Sequence, residues 1–244
     1  MINIVICDTY DEMSEMAAEI VAKHISGRKC VLGLATGSTP EGMYRHLIRL
    51  YEDKQCDFSK TITFNLDEYY PILADDSQSY RYYMNHKLFN HVNIDSRNTN
   101  VPNGESEDVD RECDIYESKI VNAGGIDVQV LGMGINGHIG FNEPGDALVA
   151  KTHKTKLSDS TLEANSRFFD NIDTMPKMAL TMGMKTILSA RKILLLVNGL
   201  SKHTALQKLL DGVISTQWPI SFLNLHDNVT LICDREAYYG NNAQ

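Results

Sequence analysis

The chain has 244 residues, 43% hydrophobic and 23% charged, with a formal net charge of −9. It is long enough to bury a large single core, and its acidic balance argues against a nucleic-acid partner, which needs clustered Lys and Arg. No apolar run reaches the ~18 residues of a membrane span, and the opening MINIVICDTYDE lacks the basic region and cleavage pattern of a signal peptide. A cytoplasmic protein with no membrane partner is expected.

Strand-like and helix-like segments alternate along the chain. Asn3–Cys7 is β-prone, and Asp11–Ile25 has helical spacing through Met13, Met16, Ala17, Ile20 and Ile25. Cys30–Ala35 reads as a buried strand, Thr36–Pro40 as a turn, and the next segment as a helix with Met43, Tyr44, Leu47, Ile48 and Tyr51 on one side. Thr61–Leu66 is a strand ending in Asp67-Glu68. After the polar loop Pro71–Gln78, the stretches Ser79–His91 and Ser106–Asn122 are expected to be helical, the second with Ser106 as N-cap. The apolar run Val128–Leu131 leads into a loop with Gly132, Gly134, Gly137 and Gly140. Beyond it, Thr152–Leu157 is expected to be extended, Asp159–Phe169 and Met175–Ala190 helical, Lys192–Val197 a buried strand, Ser201–Leu210 helical and Val229–Cys233 a last strand.

Repeated β–turn–α units imply an α/β fold: one domain over residues 1–244, built on a doubly wound (Rossmann-like), mostly parallel sheet with helices on both faces. The five cysteines are widely spaced with no CxxC, which points to buried, reduced thiols. The histidines form no HxH or HExxH pattern, so no metal is expected.

Four groups follow predicted strands and converge on the carboxyl edge of such a sheet, where open α/β folds bind ligands. Thr36-Gly37-Ser38-Thr39 precedes a helix and suits an anion, but lacks the Gly-Lys-Ser/Thr ending of a P-loop. A single phosphate group therefore fits better than a nucleoside triphosphate; taken alone, the stretch has a plain turn with a capping hydroxyl as its lesser alternative. Asp67 ends an apolar strand, where partial burial raises a carboxylate toward a base's working range; alone, it is equally a solvated acid at a strand end. Asn136, His138 and Glu143 share the glycine-rich loop, where a carboxylate can orient the imidazole for proton exchange with a hydroxyl or ring oxygen. No GxSxG elbow accompanies them, which favours proton transfer over acyl transfer. Arg167 and Lys202 add a guanidinium fork and a point charge to the Thr36–Thr39 site. The set needs no cofactor and suits an aldose–ketose isomerisation of a sugar phosphate.

The stretches LGLATGSTPEGMYRHL, TFNLDEYY, LGMGINGHIGFNEPG and ANSRFFD resemble the glucosamine-6-phosphate deaminase (glucosamine-6-phosphate isomerase) family, and the likeness runs from about Met1 to Arg235. The resemblance implies conversion of D-glucosamine 6-phosphate and water into D-fructose 6-phosphate and ammonia, in N-acetylglucosamine catabolism. It implies Asp67 as the base moving a proton between C2 and C1. His138 would open the ring with help from Glu143 and Asn136, and Thr36 to Thr39, Arg167 and Lys202 would hold the phosphate. Many members carry Asp where this chain has Asn136, so here the amide orients and does not titrate, and Asn136→Asp is expected to keep appreciable activity. Some relatives are hexamers activated by N-acetylglucosamine 6-phosphate through Ser, Arg and Lys where this chain has Asp146, His153 and Thr155. An Asp facing a phosphate repels it, so no such activation is expected, and the chain is expected to be a monomer or small homo-oligomer. Galactosamine-6-phosphate deamination and 6-phosphogluconolactone hydrolysis are the rival activities, and a sugar-phosphate sensor domain is the rival outside enzymes. Thr152–Asn171, with Phe168 and Phe169, is expected to close over the substrate.

Overall fold

The computed structural model describes residues 2–166 and 175–242. In chain order the elements are β1 (Asn3–Cys7), α1 (Tyr10–Ile25), β2 (Cys30–Leu34), α2 (Glu41–Glu52), β3 (Thr61–Asn65), β4 (Asp67–Tyr70), α3 (Tyr80–Lys87), β5 (Thr99–Asn100), α4 (Val109–Ala123) and β6 (Val128–Leu131). They continue with β7 (His153–Lys156), α5 (Asp159–Ser166), β8 (Met178–Thr181), α6 (Met184–Leu188), β9 (Lys192–Val197), α7 (His203–Leu210), β10 (Val229–Asp234) and α8 (Arg235–Tyr239).

Seven strands form one sheet in the order β1-β10-β9-β6-β2-β3-β5, and every pairing in it is parallel. Alternate strand residues face opposite helical layers. Leu32, Leu34, Val130, Leu194 and Leu196 pack against Met13, Ala17 and Val21 of α1, Met43 and Leu47 of α2, and Met84 of α3. Val31, Phe64, Leu131, Ile193 and Leu195 pack against Tyr116 and Ile120 of α4, Ile187 of α6, and Leu206 and Leu209 of α7. This is the doubly wound architecture expected from the alternating pattern.

From β2 the chain steps one way to β3 and β5, and from β6 the other way to β9 and β10. Since β2 and β6 are neighbours, the loops leaving their carboxyl ends diverge and open a crevice between them, the switch point at which such sheets bind ligands.

A second sheet was not expected. It is antiparallel, in the order β4-β8-β7. The helix expected over Met175–Ala190 is instead β8, a turn at Gly183 and the short α6. Met178–Thr181 consists largely of good helix formers with no period-2 alternation, because β8 is buried along most of its length; propensity gives way to tertiary context there. The N-cap of α4 is Asp108, whose carboxylate accepts from the Arg111 N–H, and not Ser106. The short β5, the 3-10 segment Pro219–Leu225 and α8 carried no clear periodicity.

All five cysteines are free and buried. Burial pushes the Cys30 and Cys233 thiols up to about 12, so neither is a thiolate near neutral pH. No helix among the described residues is long and apolar enough to cross a membrane.

Candidate active site

A cavity of about 200 Å³ occupies the crevice between β2 and β6. Thr36, Gly37, Ser38, Thr39, Asp67, Asn136, His138 and Lys202 all line it, and Glu143 stands behind His138. Three of the groups picked from separate stretches of sequence therefore meet, together with Lys202 of the fourth. Arg167, Phe168 and Phe169 lie outside the described residues, as does part of the Thr152–Asn171 segment expected to close over the site.

Asp67 does not end a strand; it begins one. The parallel strand β3 stops at Asn65, and the Leu66 N–H still donates to the Leu34 carbonyl, while the Leu66 carbonyl accepts from the Met182 N–H of the chain leaving β8. Leu66 is thus the point where the chain changes sheets, and Asp67 is the first residue of β4, paired with Thr181. Asp67 is 5% exposed. Burial, with Glu68 adding a like charge, pushes it up to about 8. Neighbouring residues of a strand face opposite ways, and Glu68 points to the start of α3, where it accepts from the N–H groups of Tyr69, Tyr80 and Arg81 at 2.9, 2.8 and 2.9 Å. Burial raises Glu68 to about 7 against those three donors. The Asp67 carboxyl has no such set of backbone donors among the described residues. Tyr80 also lines the cavity and stacks on Phe141, with ring centroids 6.1 Å apart and planes 7° apart. This aromatic pair forms an apolar wall beside Asp67.

The loop after β6 folds back on itself. The Gly134 N–H donates to the His138 carbonyl at 3.0 Å, and the Gly137 N–H to the Gly134 carbonyl at 3.1 Å. Asn136 bridges the turn: its Oδ1 accepts from the His138 N–H at 3.2 Å, and its Nδ2 donates to Glu143 Oε2 at 2.9 Å. His138 Nδ1 lies 3.3 Å from the same Oε2, within ion-pair range though short of hydrogen-bond alignment. Glu143 Oε1 accepts a short hydrogen bond from the Thr161 hydroxyl. Burial alone would raise the Glu143 carboxyl, but His138, Thr161 and Asn136 outweigh it and hold the group at about 2. Glu143 is therefore a fixed anion at every working pH, and with Nδ1 of His138 turned to it, Nε2 is the nitrogen left for a substrate.

Gly37, at φ +92°, turns the loop after β2. Tyr83 donates its hydroxyl to the Gly37 carbonyl at 2.7 Å, Tyr10 to the Ser38 carbonyl at 2.9 Å, and Thr39 to Asn198 Oδ1 at 2.8 Å. The loop is thereby tied down through two carbonyl oxygens and the Thr39 hydroxyl just ahead of the N-terminus of α2, an arrangement suited to an anion. Lys202 approaches from the opposite loop at the start of α7.

Thr161, Tyr80 and Phe141 escaped the sequence reading. For Thr161 a signal was present: Ser158-x-x-Thr161 has the spacing of a helix cap, and the Ser158 hydroxyl does accept from the Thr161 N–H.

The geometry of the Asn136 amide refines the expectation for Asn136→Asp. The new carboxyl would face Glu143 across 2.9 Å in place of a donor, and two carboxylates so close share a proton, which raises one pKa. Appreciable activity is expected only where that shared proton is kept. A kcat profile for the variant should show a fall toward high pH that the parent lacks; superimposable profiles would contradict this reading of the amide.

Residues 7–232 match the family of glucosamine-6-phosphate isomerases/6-phosphogluconolactonase. The glucosamine-6-phosphate deaminase of Clostridium perfringens is 50% identical over 236 residues, covering 96% of this chain and 98% of the relative. That of Clostridium beijerinckii is 52% identical over 235 residues, covering 96% and 97%. The solved structure of a monomeric glucosamine-6-phosphate deaminase superposes with a TM-score of 0.94 at 48% identity, covering 97% of this chain and 98% of that one. The 6-phosphogluconolactonase of Trypanosoma cruzi shares the fold, with a TM-score of 0.74 at 21% identity over 98% and 97%. The chain belongs to the family of glucosamine-6-phosphate isomerases and 6-phosphogluconolactonases.

Proposed function

We propose that the chain converts D-glucosamine 6-phosphate and water into D-fructose 6-phosphate and ammonia. One observation supports this above the rest: a buried carboxyl, Asp67, with its pKa raised to about 8, shares a small cavity with an anion-backed histidine. The identities of 50% and 52% to glucosamine-6-phosphate deaminases point the same way.

The phosphate would sit on the Thr36–Thr39 loop, with Lys202 and Arg167 as cations. His138 takes the proton of the C1 hydroxyl and delivers one to the ring oxygen, opening the pyranose to the aldehyde; the Glu143 anion stabilises the imidazolium that forms between the two transfers. Asp67 then removes the proton on C2 while the C2 ammonium passes a proton to the C1 oxygen, and an enolamine forms between C1 and C2. Returning the proton to C1 leaves a ketimine at C2. Water adds there, the C2–N bond breaks, and ammonia departs.

Lactone hydrolysis needs no proton abstraction at carbon, so it would leave Asp67 without a task. Ammonia release measured on glucosamine 6-phosphate and galactosamine 6-phosphate, beside hydrolysis of 6-phosphogluconolactone, tests the proposal. Release from the gluco epimer should dominate by at least about tenfold, the discrimination one well-placed hydroxyl contact supports. A faster lactonase would overturn it.

On the same reading the enzyme works in the cytoplasm as a monomer or small homo-oligomer and is not regulated by N-acetylglucosamine 6-phosphate. Asp146 is exposed where activated relatives need a phosphate donor. The rate curve is expected to be hyperbolic and unmoved by that compound; a sigmoidal curve that it straightens would refute this.

A further inference from the structure

Thr161 occupies the first turn of α5, is 4% exposed and lines the cavity, yet it belongs to none of the loops that follow the parallel strands. Its hydroxyl sits in a directed chain. Ser158 Oγ donates to Thr161 Oγ1 at 3.0 Å and accepts from the Thr161 N–H at 3.2 Å. A threonine hydroxyl has one proton. With Ser158 donating into the oxygen, that proton goes to Glu143 Oε1. Glu143 Oε2 meanwhile faces the Asn136 amide and His138 Nδ1. One carboxylate oxygen is thus anchored by α5 and the other by the loop after β6, which sets the plane of the carboxylate. The contact of Glu143 with His138 is the longest of the three, at 3.3 Å, so the imidazole follows the carboxylate and not the reverse.

We infer that Thr161 is a positioning residue for ring opening: its hydroxyl, capped from behind by Ser158, holds Glu143 in the orientation that aims His138 at the sugar. The inference rests on the assignment of His138 to ring opening. It also links the placement of α5 to that step, because displacing the first turn of α5 removes the donor from Glu143. Proton abstraction is assigned to a separate carboxyl, Asp67, and does not run through Thr161.

The test compares Thr161→Val, which keeps shape and loses the hydroxyl, with Thr161→Ser, which keeps the hydroxyl. Ammonia release is measured with glucosamine 6-phosphate and with its C2-deuterated form. For Thr161→Val, kcat is expected to fall about ten- to a hundredfold, the range for deleting a hydrogen bond to a charged group, while KM stays within about threefold. Because ring opening becomes the slow step, the C2-deuterium isotope effect on kcat drops to unity or stays there. Thr161→Ser restores kcat to within about threefold of the parent. Thr161→Ala replaces the valine variant if the latter does not fold, as judged by thermal melting. A kcat within twofold of the parent in the hydroxyl-free variant overturns the inference. So does a fallen kcat with an isotope effect above unity and undiminished, or a serine variant as impaired as the valine one. Failure of the parent itself to release ammonia would instead reject the proposed function.

Discussion

Asp67→Asn is expected to lower ammonia release at pH 8 by at least about a thousandfold, within the span attributed to a positioned general base, while the protein stays folded and still binds a sugar phosphate. The amide is close in shape to the carboxyl and cannot accept the C2 proton. The site around it is built to hold a carboxyl that ionises reluctantly: burial pushes it to about 8, Glu68 lends a like charge, and the Tyr80–Phe141 stack walls off solvent. A base must be ionised to act, so kcat/KM of the parent should climb with pH through 7 and level off above about 8. The substrate carries an amine on the carbon to be deprotonated. In its ammonium form this cation favours the Asp67 carboxylate, so the acid limb of kcat should lie at lower pH than that of kcat/KM. The measurement is a pair of pH profiles for the parent and one rate for Asp67→Asn; comparable rates in the two proteins would remove the assignment of the base.

The same raised pKa has a sign for stability. The folded state retains the Asp67 proton up to about pH 8, whereas the unfolded chain loses it near the ordinary ~3.9 of an aspartate. Between those values the native state binds more protons, so this group's contribution to stability falls as pH rises and is at its most unfavourable above pH 8. Asparagine carries no charge to bury. Asp67→Asn should therefore melt higher than the parent at pH 8.5 and show little difference at pH 4. A variant that is less stable at both values would show that the carboxyl makes a contact the amide cannot replace.

Much of this was legible in the sequence because it was periodic or glycine-marked. Strands β2, β6 and β9 are apolar runs that break into Thr36-Gly37, Gly132 and Asn198-Gly199, and the residues beyond the first two, Thr36–Thr39 and Asn136–His138, meet because a switch point brings the β2 and β6 loops together. The antiparallel sheet was only partly legible. Thr152–Leu157, expected to be extended, holds β7, but β4 and β8 have four residues each, too short for a period to show, and Met-Ala-Leu in β8 favours a helix wherever packing does not overrule it. That omission hid why Asp67 is buried: it stands where the chain crosses from one sheet to the other, covered by Thr181 and by the Gly140 turn, whose added Cβ would lie 3.2 Å from its Oδ2. Thr161 was hidden for another reason. The Ser158-x-x-Thr161 spacing marks a helix start, but Thr161 reaches Glu143 across 18 positions of sequence, and the cap pattern does not report that contact.

The second large effect is expected at a residue with no chemistry of its own. A Cβ on Gly134 would lie 2.3 Å from both Cε1 and Nδ1 of His138 and 2.6 Å from its Nε2. Gly134 is not among the residues with positive φ, so alanine is not excluded by the backbone; the three nearest atoms all belong to the imidazole. Asn136 holds the His138 N–H, and Thr161 and Asn136 hold Glu143, so it is the ring that yields, into the cavity it lines. Gly134→Ala should therefore dislodge the imidazole, lowering kcat by about a hundredfold or more, as losing a general acid–base does, with KM changed little because the phosphate loop after β2 is untouched. A double-mutant cycle separates this from general damage. If the alanine acts only by displacing His138, then in a His138→Ala background, where the ring is gone, Gly134→Ala should cause almost no further loss, so that the two effects are far from additive. Losses that multiply in the double variant would mean that Gly134 serves the loop by some route other than making room for the imidazole.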